Sequence, residues 1–165
     1  MEKIKCIIVS DIHGADSKLC EALRRNRDAE VVFFLGDGVR EAEAQAISDR
    51  GKRHWLAVKG NCDFSSTFLG SELKKTESIT LCGKKIVFTH GDLYGVKYHT
   101  EGLYKLAADT GADIVLYGHT HVKREEYRDG VYYVNPGSLF GGESGRSCAL
   151  LTLDGDNVLF SFLDL

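Results

Sequence analysis

Apolar and polar positions along this chain fall into blocks whose period shifts between that of a strand and that of a helix. Residues 3–10, KIKCIIVS, form a strand-like run. Asp16-Ser17 then offers an N-cap for a helix with Leu19, Ala22 and Leu23 on one face. VVFFL is a short, fully apolar strand, EAEAQAISDR is rich in helix formers, and HWLAV is a third strand. Strand, helix, strand, helix, strand implies right-handed crossovers and a largely parallel sheet buried on both faces.

The second half has another rhythm. ESITLCG and KKIVFTH read as a hairpin, and EGLYKLAADTG as a helix closed by a glycine cap. DIVLYG is a further buried strand. KREEYR-DG-VYYVN carries the Asp-Gly pair of a tight hairpin, and SCALLTLDGDNVLFSFLD is a last hairpin. A parallel half and an antiparallel half within 165 residues predict two mixed sheets packed together with helices outside, a four-layer αββα sandwich. No repeat or linker divides the chain, so residues 1–165 are expected to form one domain.

Composition removes several function classes. The net charge of −3 excludes a generally basic surface for gripping nucleic-acid phosphates. The N-terminal MEKIKCIIVSD is too short and too charged for a signal core or a membrane span. The five cysteines are widely spaced, with no CxxC pair, so neither a disulfide framework nor a thiolate zinc site is expected. Free thiols in a cytoplasmic protein are the plain reading.

The chemistry lies where the strands stop. IIVS runs into Asp11 and His13, VVFFLG into Asp37, WLAVKG into Asn61, KIVFT into His90, and DIVLYG into His119 and His121. Each motif alone is weak: Asp-x-His is an everyday capping turn, and a lone histidine is more often a hydrogen-bonded one. Together they carry weight, because four of the six histidines sit at these ends and only His54 and His99 fall elsewhere. Ligands in open α/β sheets bind beyond the carboxyl ends of strands, so these residues would gather along one edge. Asp, Asn and His without thiolate suit Mn²⁺, Fe²⁺ or Zn²⁺. Seven donors exceed the needs of one open ion and would serve two, roughly 3.5–4 Å apart, sharing a carboxylate.

In order, SDIHG, LGDG, KGNCD, THGD and YGHTHV resemble the signature of the calcineurin-like metallophosphoesterases. The short length and NPGSL at 135–139 are similar to the small YfcE-type phosphodiesterase branch. The resemblance implies the same αββα fold. It also implies that Asp11, His13 and His121 hold one divalent ion, that Asn61, His90 and His119 hold a second, and that Asp37 bridges them. Asp37, Asn61 and His90 would then be catalytic as well as metal-binding. Mn²⁺ is the first expectation for both ions, with Ni²⁺, Fe²⁺ and Zn²⁺ as alternatives. The implied reaction is in-line attack on phosphorus by a hydroxide between the ions. Asp11, Asp37, that hydroxide and a phosphodiester balance two divalent cations, whereas a monoester brings excess negative charge. A small phosphodiester is the expected substrate, with no nucleic-acid or membrane partner and self-association into a dimer or tetramer. His90 and His119 are expected to belong to the site rather than to the core.

Four departures from the family pattern bear on this. The family's Gly-Asn-His motif, whose histidine protonates the leaving group, here has Cys62. The aspartate that orients that histidine, three positions after the bridging one, is here Arg40. Both members of the acid pair are thus lost together, which favours good leaving groups. Asp92 stands where relatives often have a second histidine, and FGGESGR at 140–146 differs from the branch, so no role carries over to either. A non-catalytic scaffold of the retromer-subunit type is the competing reading, and a nuclease a third; a complete donor set favours the enzyme.

Overall fold

A computed structural model describes residues 2–165. Five strands form the first sheet: β1 (Lys3–Val9), β2 (Val31–Phe34), β3 (His54–Ala57), β11 (Ser147–Asp154) and β12 (Asn157–Asp164), in the order β12-β11-β1-β2-β3. β1, β2 and β3 run parallel, while β11 is antiparallel to β1 and to β12. The second sheet comprises β6 (Thr76–Leu81), β7 (Lys84–Thr89), β8 (Ile114–Leu116), β9 (Lys123–Arg128) and β10 (Val131–Pro136), ordered β6-β7-β8-β10-β9. Here β7, β8 and β10 are parallel and the edges β6 and β9 antiparallel. Both sheets are therefore mixed. The second half of the chain is not wholly antiparallel, because the helix α3 (Glu101–Thr110) makes a crossover from β7 to β8, and the C-terminal hairpin returns to the first sheet.

Alternation along each strand builds four layers. Cys6 and Ile8 of β1 and Val31 and Phe33 of β2 face Ile86, Phe88, Ile114 and Leu116 of the second sheet. The Phe33 and Phe88 rings meet edge to face, 5.2 Å apart, across this interface. Ile7, Val9, Val32 and Phe34 point the other way, onto Leu19, Ala22 and Leu23 of α1 (Asp16–Arg25) and Ala42 and Ala46 of α2 (Val39–Asp49). Val87, Val115 and Tyr133 pack on Leu103 and Ala107 of α3. The αββα sandwich is as expected, and at about 1.5–3 kcal/mol per large buried side chain these three interfaces dominate its stability. Among the described residues, no helix is long and apolar enough to cross a membrane.

Local differences have local causes. Helix α1 begins at Asp16 with Ala15 in the cap position and no side-chain cap, so Asp16-Ser17 does not cap it; Asp16 sits in the first turn, where a carboxylate still favours the helix dipole. The hairpin turns at Cys82-Gly83 and Asp129-Gly130 both place two consecutive residues at positive φ, as two-residue turns between twisted strands require. A two-stranded ribbon, β4 (Thr67–Phe68) with β5 (Ser71–Glu72), is too short for hydrophobic periodicity to reveal.

Candidate metal centre

All five expected strand ends meet at one edge. The regular strands stop slightly earlier than their apolar runs: Asp37 lies three residues beyond β2, Asn61 four beyond β3 and His119 three beyond β8. Gly60 and Gly118 in these extensions let the loops close on one another. A Cβ on Gly60 would sit 2.0 Å from Asp37 Oδ1, and one on Gly118 2.1 Å from Ser10 Oγ.

Five of the seven residues, Asp11, His13, Asp37, His119 and His121, have φ between 41° and 70°. Non-glycine residues take that conformation at a cost of about 1–3 kcal/mol each and keep it only where the surroundings over-determine it. The backbone supplies that constraint. Asp37 O accepts from the Ile12 and His13 amides at 2.7 and 3.2 Å, Gly36 O from Asp11 N at 3.0 Å, and His90 O from Gly118 N at 2.9 Å. The Asp11 carbonyl accepts from Phe140 N at 3.1 Å and from Ser138 Oγ at 2.9 Å. Ser144 Oγ donates to the His121 carbonyl at 3.3 Å, and the Phe140 ring stands against His13 at 5.8 Å. The 138–144 segment therefore supports one side of the site, a role the sequence left open.

Besides His13, Asp37 and the exposed Cys62 thiol, which also lie together, two groups of donor atoms match the expected sites. In Asp11, His13 and His121, and again in Asp37, His90 and His119, one donor atom per residue lies within 4.8 Å of the others. Asp37 Oδ2 approaches His90 Nε2 at 3.3 Å and His13 Nε2 at 3.7 Å, and so faces both groups. Asn61 Oδ1 joins the second group, 3.0 Å from His90 Nε2. All seven candidates are thus brought together.

The hydrogen bonding fits cations. His90 Nδ1 lies 2.7 Å from the Leu35 carbonyl, an acceptor, so this nitrogen carries the proton and Nε2 presents a lone pair. That lone pair faces Asn61 Oδ1, His119 Nδ1 at 3.1 Å and Asp37 Oδ2. Acceptors crowded this closely need a proton or a metal ion between them. Asp11 gives the second sign. Its Oδ2 accepts from Ser10 Oγ and the His119 amide, but its Oδ1 is buried without a hydrogen bond, 3.2 Å from His121 Nε2 and 3.7 Å from His13 Nε2. Buried polar atoms seldom lack a partner. The donor set therefore fits divalent ions.

Ionisation follows the same logic. Burial opposes charge on Asp11, but the neighbouring His121, His13 and His90 rings and the Ser10 hydroxyl hold it well below the usual carboxylate range. Asp37 is lowered too, burial being outweighed by His90 and the Cys62 amide. His13 is raised by the neighbouring Asp11 carboxylate; His90 is raised despite burial, by Asp37 and Asp11. His119 is lowered by burial and by the charge of His90. The environment thus favours negative charge on both carboxylates and positive charge beside them, at His13 and His90.

The expectation for His90 needs correction in one respect. Its side chain is completely buried and bonded to Leu35 O, so it belongs to the interior as much as to the site, whereas His119 is half-buried. Asp63 was not anticipated at all. Its carboxylate accepts four backbone amides: Oδ1 from Gly38 and Val39 at 2.9 and 3.0 Å, Oδ2 from Asp37 and Gly60 at 2.8 and 2.9 Å. It ties the Asp37 loop to the Asn61 loop and takes up the first free amides of α2. Cys62 lies exposed beside Asp37 and His13. Partial burial and then the Asp37 charge raise its pKa, so it stays a thiol. Asp92 accepts from Lys75 at 3.1 Å.

A two-sheet sandwich with Asp, Asn and His clustered at its strand ends has the donor set of a divalent-metal site. The calcineurin-like phosphoesterase superfamily domain matches residues 4–156, and the chain belongs to that superfamily. It is 33% identical over 162 residues to the probable metallophosphoesterase YsnB of Bacillus subtilis, covering 96% of this chain and 89% of that one. It is 29% identical over 171 residues to the phosphodiesterase YfcE of Escherichia coli, covering 93% and 89%. A predicted phosphoesterase from Streptococcus pneumoniae superposes with a TM-score of 0.80 at 28% identity, over 99% of this chain and 91% of that one. Vacuolar protein sorting 29 from Cryptosporidium parvum shares the fold, with a TM-score of 0.77 at 18% identity over 99% of each chain.

Proposed function

We propose that residues 1–165 act as one metal-dependent phosphodiesterase domain with a dinuclear centre. Asp11, His13 and His121 would hold one divalent ion, Asn61, His90 and His119 the other, and Asp37 both. The observation that carries this reading is the pair of donor groups joined at Asp37, with the unsatisfied Asp11 Oδ1 in one and the crowded His90 Nε2 in the other. When bound, such ions lower the pKa of water towards neutrality and neutralise charge on phosphoryl oxygens. Mn²⁺ is the first candidate for both sites.

The protein's own contribution is placement. Asp63 fixes the Asp37 and Asn61 loops, Leu35 O fixes the His90 ring, and Ser10 with the His119 amide aims Asp11 Oδ1 inward. Cys62 brings no imidazole to the leaving group, and general acid catalysis is normally worth about 10²–10⁴-fold. Aryl and phosphate leaving groups, which need little protonation, should therefore be preferred over alkoxides. The relatives named as phosphodiesterases support the reaction class. The likeness to vacuolar protein sorting 29 supports a scaffold reading through the fold alone, and a scaffold has no need of a full donor set. The test is hydrolysis of a panel of phosphodiesters and monoesters by metal-stripped protein resupplied with single divalent ions. Diester hydrolysis that depends on the ion supports the enzyme, and metal binding without hydrolysis of any ester supports the scaffold.

A further inference from the structure

Beside the metal centre lies a groove of about 360 Å³ whose lining includes His13, Asp37 and Cys62 together with Arg40, Glu41 and Phe64. Its volume lies within the range of small-molecule sites. The family resemblance implies that position 62 faces the leaving group, which makes this groove the leaving-group side. Three features of its lining are unexplained by the fold. Arg40, on the first turn of α2, is exposed and has no side-chain partner among the described residues. Glu41 likewise forms no ion pair among the described residues. Phe64 is fully exposed, which serves no core. The first α2 amides are already taken by Asp63, so they are not available to an anion here.

Resting on the phosphodiesterase reading, we propose that this groove selects substrates whose leaving half is a nucleoside 5′-phosphate, joined to the attacked phosphorus through an anhydride oxygen. Each wall residue matches a part of such a group. The Arg40 guanidinium suits its phosphate, which it can grip bidentately. The Glu41 carboxylate accepts from sugar hydroxyls, and the Phe64 ring offers a face for a base. The absence of an acid at position 62 fits the same substrate. An oxygen from water bonds to the attacked phosphorus, the bond to the bridging oxygen breaks, and its electron pair leaves on that oxygen. The departing group is a nucleoside monophosphate anion that needs no proton; one proton of the water is released to solvent and the other stays on the oxygen newly bonded to phosphorus. Arg40 thus meets a leaving anion, where the usual acid would meet an alkoxide.

The experiment compares kcat/KM for P1,P2-diadenosine pyrophosphate and for bis(4-nitrophenyl) phosphate, using full-length protein loaded with Mn²⁺. Wild type should cleave the pyrophosphate to adenosine 5′-monophosphate. Arg40→Ala should lower the ratio of pyrophosphate to aryl-diester kcat/KM by about tenfold or more, as loss of a charged hydrogen bond predicts, and Arg40→Lys should restore part of it. Phe64→Ala should lower the same ratio by about fivefold. Aryl-diester turnover without pyrophosphate cleavage, or a ratio unchanged in Arg40→Ala, overturns the proposal and leaves the phosphodiesterase reading standing. Failure to hydrolyse either substrate overturns both.

Discussion

Replacing Asp63 by Asn changes almost no volume and removes one charge. The carboxylate serves four backbone amides on two loops, at 2.8–3.0 Å. An amide side chain can turn its oxygen to only one of the two pairs. The other pair, either Gly38 and Val39 or Asp37 and Gly60, would face an NH₂ donor. Hydrogen bonds to a charged acceptor contribute about 1.5–3 kcal/mol each, and the partial exposure of the loops lowers that figure. Losing two, with the remaining two now neutral, gives an expected destabilisation of about 2–4 kcal/mol. The functional effect should be larger in proportion, because Asp37 holds its strained φ of 61° within the same network. Relaxation of that residue by even 1.4 kcal/mol weakens metal binding about tenfold. Urea unfolding of the metal-free variant measures the first effect, and Mn²⁺ titration of the folded variant the second. A midpoint and a metal affinity both equal to wild type would refute the claim that Asp63 holds the two loops together.

His119→Ala should abolish turnover in a protein that still folds, whereas His90→Ala should also lower the thermal midpoint, because it leaves Leu35 O without its donor in the interior. Circular dichroism melting beside an activity assay separates the two. Mn²⁺ affinity should fall as pH drops through neutrality. His13 and His90 are raised in the metal-free protein, so they hold protons at higher pH than ordinary histidine and must release them to bind metal. Without metal, the same two groups contribute stability that is present at low pH and lost as pH rises through their folded pKa. Titration calorimetry in two buffers of different ionisation enthalpy should show proton release on metal binding. Cys62→His alone should help alkyl diesters little, since Arg40 cannot orient the new ring; combined with Arg40→Asp it should favour alkyl over aryl diesters by more than the product of the single effects. Selective loss of alkyl turnover in Cys62→Ala would instead make Cys62 the acid.

The layers and the donor residues were legible because burial on both faces writes unbroken apolar runs, and each run ends in a side chain with metal chemistry. VVFFL followed by Asp37, and DIVLYG followed by His119, carry both messages at once. The pairing of β11 with β1 was not legible, since nothing local in SCALLTLD tells which sheet it joins. Asp63 escaped notice because its partners are backbone amides, which leave no trace in residue identity. The buried state of His90 was hidden for a similar reason: its anchor is the Leu35 carbonyl, 55 positions away. Asp16 and Ser17 have the composition of a cap, yet the turn at Ala15 starts the helix first.

The central claim is that Asp37 joins two ions into one hydrolytic centre, and it is tested most directly by Mn²⁺ titration of metal-stripped wild type and Asp37→Asn. Bound metal and bis(4-nitrophenyl) phosphate hydrolysis are followed together. Wild type should bind about two ions per chain, with hydrolysis requiring both, and Asp37→Asn should lose most of both ions and nearly all turnover. Full activity with a single ion bound, or wild-type metal content in Asp37→Asn, would contradict the account.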